Sequence, residues 1–466
     1  MKQISAYNFS MESIVHHFPK HQNLFSTDPH DLDHYGKDWT KVYPAKPGAI
    51  VFPRSTEEVS EILKICSEKG IAVVPSGGRT GLSGGAVAYQ GELVLSLAKM
   101  NKIGAIDPLA LTLPVEAGAV TEAVHQHCEP HGLTWPVDFG SKGSSCVGGN
   151  ISTNAGGINV IRYGMTRHWV LGLTVVLMDG TILRLNGSLE KNNTGLDLKH
   201  LFIGSEGIFG VVTEAVLKLT RVEKNTQLFF FGAKNLSQVF YLLEASRKAP
   251  FDLYAFEAFS KNCFDSTTKL HNIRSPFEGS HEQYVLLEAK GENFDEWLEE
   301  IFTKELVAEG VQAKSQEEAK LFWKTRETIS ESLRTHGQLH TSDISVPISA
   351  LKAFIEEWQT IFAQKFPRWE LFIFGHFGDG NLHIHALRPD DMSQEEFLHQ
   401  NEMVEEDLFR VVGKYHGSIS AEHGIGLLKK AHLHLSKSPE ELRILRQMKK
   451  ILDPQCLLNP GKVIDV

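Results

Sequence analysis

The chain has little cysteine and arranges it nowhere for metal or redox work. Cys66, Cys128, Cys146, Cys263 and Cys456 stand far apart and no Cys-x-x-Cys occurs, which excludes a cysteine zinc site and an iron–sulfur cluster. An odd, scattered set fits buried thiols in a reducing compartment. No basic block is present and the formal net charge is −10, so nucleic acid is not an expected partner. No run reaches the roughly 18 apolar residues of a membrane span, so no transmembrane segment is expected. The first residues, MKQISAYNFSMESIVHHFPK, lack the apolar core of a secretory signal. The expectation is a cytoplasmic protein, with peripheral docking to a membrane left open. Internal repeats and low-complexity stretches are absent too. With 466 residues, 42% hydrophobic and 22% charged, the chain is ordinary globular material for two or three domains.

What is there begins with residues 371–388, LFIFGHFGDGNLHIHALR. Asp-Gly between hydrophobic runs is the strongest short-range hairpin signal. A two-residue turn at Asp379-Gly380 pairs Gly378 with Asn381, Phe377 with Leu382 and His376 with His383. The two histidines then face each other about 5 Å apart. Alternation puts His385 on the face of His383, with Leu382, Ile384 and Ala386 turned into a core. Two imidazoles so placed can hold one divalent metal, and the third can reach whatever the metal holds. A lone histidine on a strand is usually structural; three converging around one turn point to a metal site.

Three glycine-rich tracts come earlier. Residues 49–76 read as strand, helix and strand, with Ser55 and Glu58 as a capping box, Val59, Ile62, Leu63 and Cys66 on one helix face, and Gly70 ending it. Directly after comes Pro75-Ser76-Gly77-Gly78-Arg79-Thr80-Gly81-Leu82-Ser83-Gly84-Gly85. It matches neither the dinucleotide G-x-G-x-x-G nor the phosphate loop ending in Gly-Lys-Ser/Thr. Its bare backbone N–H groups at a strand's end can cradle an anionic ligand. The second tract, 140–164, holds Ser141, Gly143, Ser144, Gly148, Gly149, Asn150, Asn154, Gly156 and Gly157. Its amides and hydroxyls exceed what phosphate alone needs and suit a large heteroaromatic cofactor with a pyrophosphate. The third, Gly204-Ser205-Glu206-Gly207, lies between apolar, strand-like segments.

The texture changes after Thr220, marking a domain boundary near 222. Residues 251–259 and 282–291 read as strands of a mixed domain. Residues 323–330 read as helix, with Arg326 and Ser330 on one face; a single such arginine is most often solvated. Residues 394–415 read as a long helix. Glu422-His423, framed by small residues, can supply one ligand and one base. Ser438, Pro439 and Glu441 open a capped helix, and the chain closes on Asn459-Pro460-Gly461-Lys462.

Taken together, PSGGRTGLSGG, GSKGSSCVGGNISTNAGG, IRYG, FIGSEG, GHFGDGNLHIH, SAEHGIG and NPGK resemble the flavin-dependent D-2-hydroxyacid dehydrogenases. That family has the vanillyl-alcohol-oxidase type fold and includes D-2-hydroxyglutarate dehydrogenases, flavin D-lactate dehydrogenases and the glycolate oxidase D subunit. The resemblance runs from about residue 50 to the end. It implies an α+β protein: an N-terminal segment (1–45), a vanillyl-alcohol-oxidase (PCMH) type FAD-binding domain (46–222), an α+β cap domain with substrate and metal (223–424), and a C-terminal segment (425–466) returning to the FAD domain. By the same resemblance the three tracts and Asn459 contact FAD, which is held non-covalently because Gly78-Arg79-Thr80 offers no tethering histidine. His376, His383 and Glu422 match the metal ligands, for zinc, with manganese or another divalent ion as alternatives. His423 matches the catalytic base, and Arg326 and Ser330 match a pair for the substrate carboxylate. His385 replaces a substrate-contacting asparagine, and Thr341 stands where the hydroxyglutarate branch has lysine. The lost lysine removes a charge-assisted contact to a distal carboxylate.

The implied reaction is oxidation of a D-2-hydroxyacid, D-2-hydroxyglutarate or a relative, to the 2-oxoacid. D-lactate is the runner-up substrate. Electrons pass to an external acceptor: an electron-transferring flavoprotein, a quinone or a cytochrome. A homodimer is compatible with all of this. Two rivals from other classes are a zinc hydrolase, which leaves the glycine tracts unexplained, and a non-catalytic flavin-binding protein.

Overall fold

The computed structural model describes residues 11–40 and 42–466. These fall into two compact units. One takes the described residues up to Gly157 together with Gly164–Val222 and Glu422–Val466; the other takes Ile158–Tyr163 and Glu223–Ala421. Glu422, His423 and Gly424 therefore group with the first unit, and the short helix Val160–Tyr163 with the second.

In the first unit one sheet has the order Phe25–Ser26, Ala49–Val51, Leu93–Ser96, Val73–Ser76. Leu93–Ser96 pairs parallel with both neighbours, so it lies between the two strands flanking the helix of the 49–76 unit. That helix, Thr56–Lys69, buries Val59, Ile62, Leu63 and Cys66 completely. Ser55 accepts from the N–H of Glu58 at 3.2 Å. The Glu58 carboxylate reaches back to the N–H of Arg54, 2.6 Å, one residue beyond the reciprocal box expected. Gly70 ends the helix at φ +68°, a left-handed position suited to glycine. The N-terminal segment is more than short helices: besides Met11–His16 and Pro29–Tyr35 it adds the antiparallel edge strand Phe25–Ser26.

A second, antiparallel sheet has the order Thr112–Glu116, Val211–Lys218, Val170–Val176, Ile182–Leu185. The segment before Gly204 is a helical turn, Lys199–Phe202, and not a strand as its apolar run suggests. The last segment is locked on by Pro439–Leu452, whose full capping box joins Ser438 and Glu441. Lys449 on this helix is buried and donates to the carbonyls of Ile208 and Leu458 and to Asp453, each at 2.7 Å. Asp453 in turn accepts from the N–H groups of Leu457 and Leu458. A buried ion pair tolerates desolvation only when its remaining donors and acceptors are satisfied, as here. The result is a fixed approach to Asn459, whose N–H donates to Val73 at 2.7 Å.

The second unit is built on a seven-stranded sheet. Its order is Glu309–Gln312, Gln227–Ala233, Gln283–Gly291, Phe251–Ser260, Glu370–Gly375, Asn381–Leu387, Leu339–Ser345. All the pairings among these are antiparallel. One face carries an aromatic core with Phe230, Phe259, Phe372 and Phe374, closed by Phe322, Ile329 and Leu333 from helices. The helix expected over 323–330 breaks at Thr328: Gln316–Glu327 ends there and Ile329–Arg334 begins. Thr328 turns its hydroxyl back onto the carbonyl of Lys324, 2.7 Å, a bond that competes with helix continuation.

Candidate active site

The hairpin differs from the two-residue turn expected. Glu370–Gly375 and Asn381–Leu387 are joined by a five-residue loop, 376–380. Phe374, not His376, stands opposite His383, and Phe372 opposite His385. The carbonyl of His376 gathers the N–H groups of Asp379, Gly380 and Asn381 at 3.1–3.3 Å, a tighter local fold than a primed turn. The register is displaced by two residues. An even displacement keeps every side chain on its face, so His383 and His385 still share one face and Leu382, Ile384 and Ala386 are fully buried on the other. His376 leaves the ladder yet reaches the same place. Its ring lies 5.4 Å from that of His383, at 78°, and a ring nitrogen of each lies within 4.8 Å of the other's.

Each of these histidines is backed by a carboxylate. His376 Nδ1 donates to Glu257 at 2.6 Å. His383 Nδ1 lies 3.7 Å from Asp343. Asp343 is buried and also accepts from Asn381 Nδ2, 2.8 Å, and from the N–H of Ala421, 3.2 Å. Glu257 is wholly buried and takes a second partner: Arg326 Nε donates to its other oxygen at 2.8 Å. Burial pushes the Glu257 carboxyl up, but His376 and Arg326 outweigh it and hold the group below its ordinary value. Arg326 is itself 7% exposed, with its guanidinium 5.2 Å over the Phe374 ring, so it is no solvated arginine. Ser330 lies beyond the helix break and is half-buried. Thr341 is exposed and stands beside His385 in the ladder. Asp379, half-buried in the loop beside His376, is pushed up to about 6 by desolvation.

Sequence reasoning missed Glu257 and Asp343. For Glu257 the signal was there, a lone charge inside YAFEAF; Asp343 lies in the polar strand LHTSDIS and gave none. A charge in an apolar strand is buried, and a buried charge must be paired.

In the first unit the three glycine tracts converge. A Cβ on Gly78 would stand 2.1 Å from the carbonyl oxygen of Ser144, so the first and second tracts touch backbone to backbone. Gly77 faces Cys146 and the N–H of Gly149. Asn459 Nδ2 donates to the carbonyls of Gly85, 3.0 Å, and Glu206, 2.8 Å, tying the first tract to the third. Gly207, beside Pro75, takes φ +74°. Several side chains in these tracts do structural work. Asn150 donates to Thr121, which meets Ser145. Asn154 accepts from the N–H of Arg167. Arg79 folds back onto the carbonyl of Gly77, onto His34 and over the ring of Tyr35. The carbonyl of Ser83 accepts from the N–H groups of Leu427 and Leu428. The Glu206 carboxylate accepts from the N–H groups of Ile425 and Gly426, at 2.7 and 2.9 Å, so within the chain it fixes the turn that carries Glu422 and His423. Burial raises its pKa against those two donors.

Both halves suit the groups they are expected to hold. Ser76 Oγ and Asn459 Oδ1 are buried with no hydrogen-bond partner among the described residues, beside a backbone stripped of Cβ atoms. A polar group left that way is costly unless a ligand meets it. In the second unit, two carboxylate-backed imidazoles converge, the usual setting of histidine ligands to a divalent ion.

Comparison with known proteins supports the FAD part of this reading. Residues 47–186 match the family model "FAD binding domain" and residues 222–463 the model "FAD linked oxidases, C-terminal domain". The chain is 44% identical to a D-2-hydroxyglutarate dehydrogenase of Xanthomonas citri pv. viticola, across 94% of each chain. It is 42% identical to one of Stutzerimonas stutzeri, across 94% of this chain and 95% of that one. Among solved structures, p-cresol methylhydroxylase superposes with a TM-score of 0.76 at 17% identity, over 97% of both chains, a likeness of fold. No helix among the described residues is long and apolar enough to cross a membrane.

Proposed function

The chain belongs to the FAD-linked D-2-hydroxyacid dehydrogenases, and from that premise we propose that it oxidises a D-2-hydroxyacid of the hydroxyglutarate class to the 2-oxoacid with metal assistance. The observation that carries the metal part is the pair His376 and His383, each backed by a carboxylate, on the sheet face that also holds His385 and Arg326. His376, His383 and Glu422 would hold the divalent ion, zinc first. The three tracts and Asn459 would hold FAD without a covalent tether. When bound, the ion supplies Lewis acidity at the 2-hydroxyl and FAD supplies the hydride acceptor.

The chain's own residues do the rest. His423 takes the hydroxyl proton, work suited to an imidazole near neutral pH. Arg326 and Ser330 orient the substrate's tail, with Thr341 and His385 shaping the pocket beside them. Electrons leave to an external acceptor: an electron-transferring flavoprotein, a quinone or a cytochrome. The exposed Thr341 favours a second reading, D-lactate or another short hydroxyacid, because a threonine cannot pair with a distal carboxylate as a lysine does.

The test is an anaerobic panel of D-lactate, D-malate, D-2-hydroxyglutarate and longer aliphatic D-2-hydroxyacids, following bleaching of the flavin. Bleaching by at least one is expected, and none by the L-enantiomers. In His423→Ala, FAD should stay bound while bleaching falls by at least 100-fold, the lower range for loss of a general base. Bleaching at the wild-type rate in that variant would remove His423 from the reaction.

A further inference from the structure

Glu257 joins two groups that the reaction uses for different ends. One oxygen takes the Nδ1 proton of His376 at 2.6 Å; the other takes the Nε proton of Arg326 at 2.8 Å, with Nη2 also 2.8 Å away. Glu257 is fully buried, and the side chains of Arg326 and His376 are each 8% exposed. In such surroundings a charge-assisted hydrogen bond is firm, and its loss leaves a buried donor unpaired. A carboxylate can only accept, so it forces His376 to carry its proton on Nδ1. The lone pair that can bind a metal is then on Nε2. The same carboxylate fixes the rotation of the guanidinium, because Nε sits at its pivot.

We propose that Glu257 is a positioning residue that sets the metal-binding tautomer of His376 and the orientation of Arg326 together, so that metal affinity and substrate-carboxylate affinity depend on one buried side chain. The inference rests on the metal and substrate roles proposed above. Each oxygen serves one partner, which makes the two effects separable. Glutamine keeps the volume but has one acceptor. It can serve His376 or Arg326, not both, and its NH2 group faces the other donor.

The experiment uses the FAD-loaded full chain. Zinc affinity is measured by competition with a chromophoric chelator, and kcat and KM are measured with the hydroxyacid that bleaches the wild type. Flavin absorbance and thermal unfolding report the fold. Glu257→Ala should weaken zinc binding about 10–100-fold, the usual consequence of removing a histidine ligand's carboxylate partner, and raise KM at least 10-fold. Glu257→Gln should show one of these losses at full size and the other within about threefold of wild type, with flavin content unchanged. If Glu257→Ala fails to fold, the glutamine variant decides alone. Zinc affinity and KM both within twofold of wild type in the glutamine variant, or in the alanine variant, overturn the inference. So does a glutamine variant that loses both with its unfolding temperature, which marks a merely structural role. A wild type that binds no zinc overturns the metal reading and this inference with it; a wild type that binds it alongside variants that bind equally well overturns this inference alone.

Discussion

The second unit's chemistry is set by single residues whose neighbours decide what they can do. Arg326 is paired inside the protein with Glu257, so in its proposed substrate role its guanidinium is already half-neutralised and a second cation would matter more. In the proposed assignment Thr341 takes the place of that second cation; it is exposed and stands beside His385. Thr341→Lys should raise kcat/KM for D-2-hydroxyglutarate relative to D-lactate about tenfold, the value of one added charge-assisted hydrogen bond of roughly 1.5 kcal/mol. An unchanged ratio would place the substrate's tail elsewhere. In the first unit Lys462 is 1% exposed and its Nζ has no hydrogen-bond partner among the described residues. Burial pushes its pKa down to about 8, with Glu92 and Asp38 pulling the other way. From about pH 8 to 10.5 the folded lysine is neutral while the unfolded one still binds its proton. Unfolding takes up a proton in that window, so stability rises with pH there, and below it the cost is constant. The stability of the wild type minus that of Lys462→Met should therefore climb by about 3 kcal/mol between pH 8 and 10.5. Denaturant titrations across that range check it, and a flat difference refutes it.

At the scale of elements, the loop 376–380 shows how a wrong register can leave the shared face of two histidines legible. Asp379-Gly380 was readable as a turn, but the chain closes later and His376 comes off the strand. The alternation of His383 and His385 survived because the displacement is even. The reason for the longer loop lies outside the hairpin's own sequence: Gly378 donates to the carbonyl of Phe256, and Arg247 donates to the carbonyl of Gly378. Contacts from distant segments outbid local turn preference, and no local signal announces them. The helix caps were legible because they are local, as Ser438 with Glu441 shows. Gly380 carries the loop's strain. It takes φ +89°, and a Cβ there would stand 2.4 Å from the carbonyl oxygen of Val346. Gly380→Ala should lower stability by about 1–3 kcal/mol, read as a lower urea midpoint at unchanged slope; a midpoint equal to wild type would show that the loop relaxes freely.

Over the whole chain, the glycine tracts were legible as ligand loops because bare backbone is a sequence-level property. What escaped was the division of labour within them. Side chains such as Asn150 and Glu206, expected as cofactor contacts, also tie the tracts to Thr121 and to the turn at Ile425 and Gly426. A division of labour bears on the two cofactors too. The candidate cofactor residues of the tracts and Asn459 belong to the first unit, whereas His376 and His383 belong to the second. Asn459 is fixed by Gly85 and Glu206 within the first unit and His376 by Glu257 within the second, while Glu422, the proposed third ligand, belongs to the first. Loss of the metal should therefore leave the flavin in place. Dialysis against a chelator is expected to remove the divalent ion, keep the flavin's visible absorbance and its ratio to protein, and abolish anaerobic bleaching by the hydroxyacid, with recovery on adding back zinc or manganese. Release of FAD together with the metal would show that the two sites are held by common contacts. Undiminished bleaching of a protein shown free of metal would remove the ion from the reaction and leave His423 and Arg326 to activate the substrate alone.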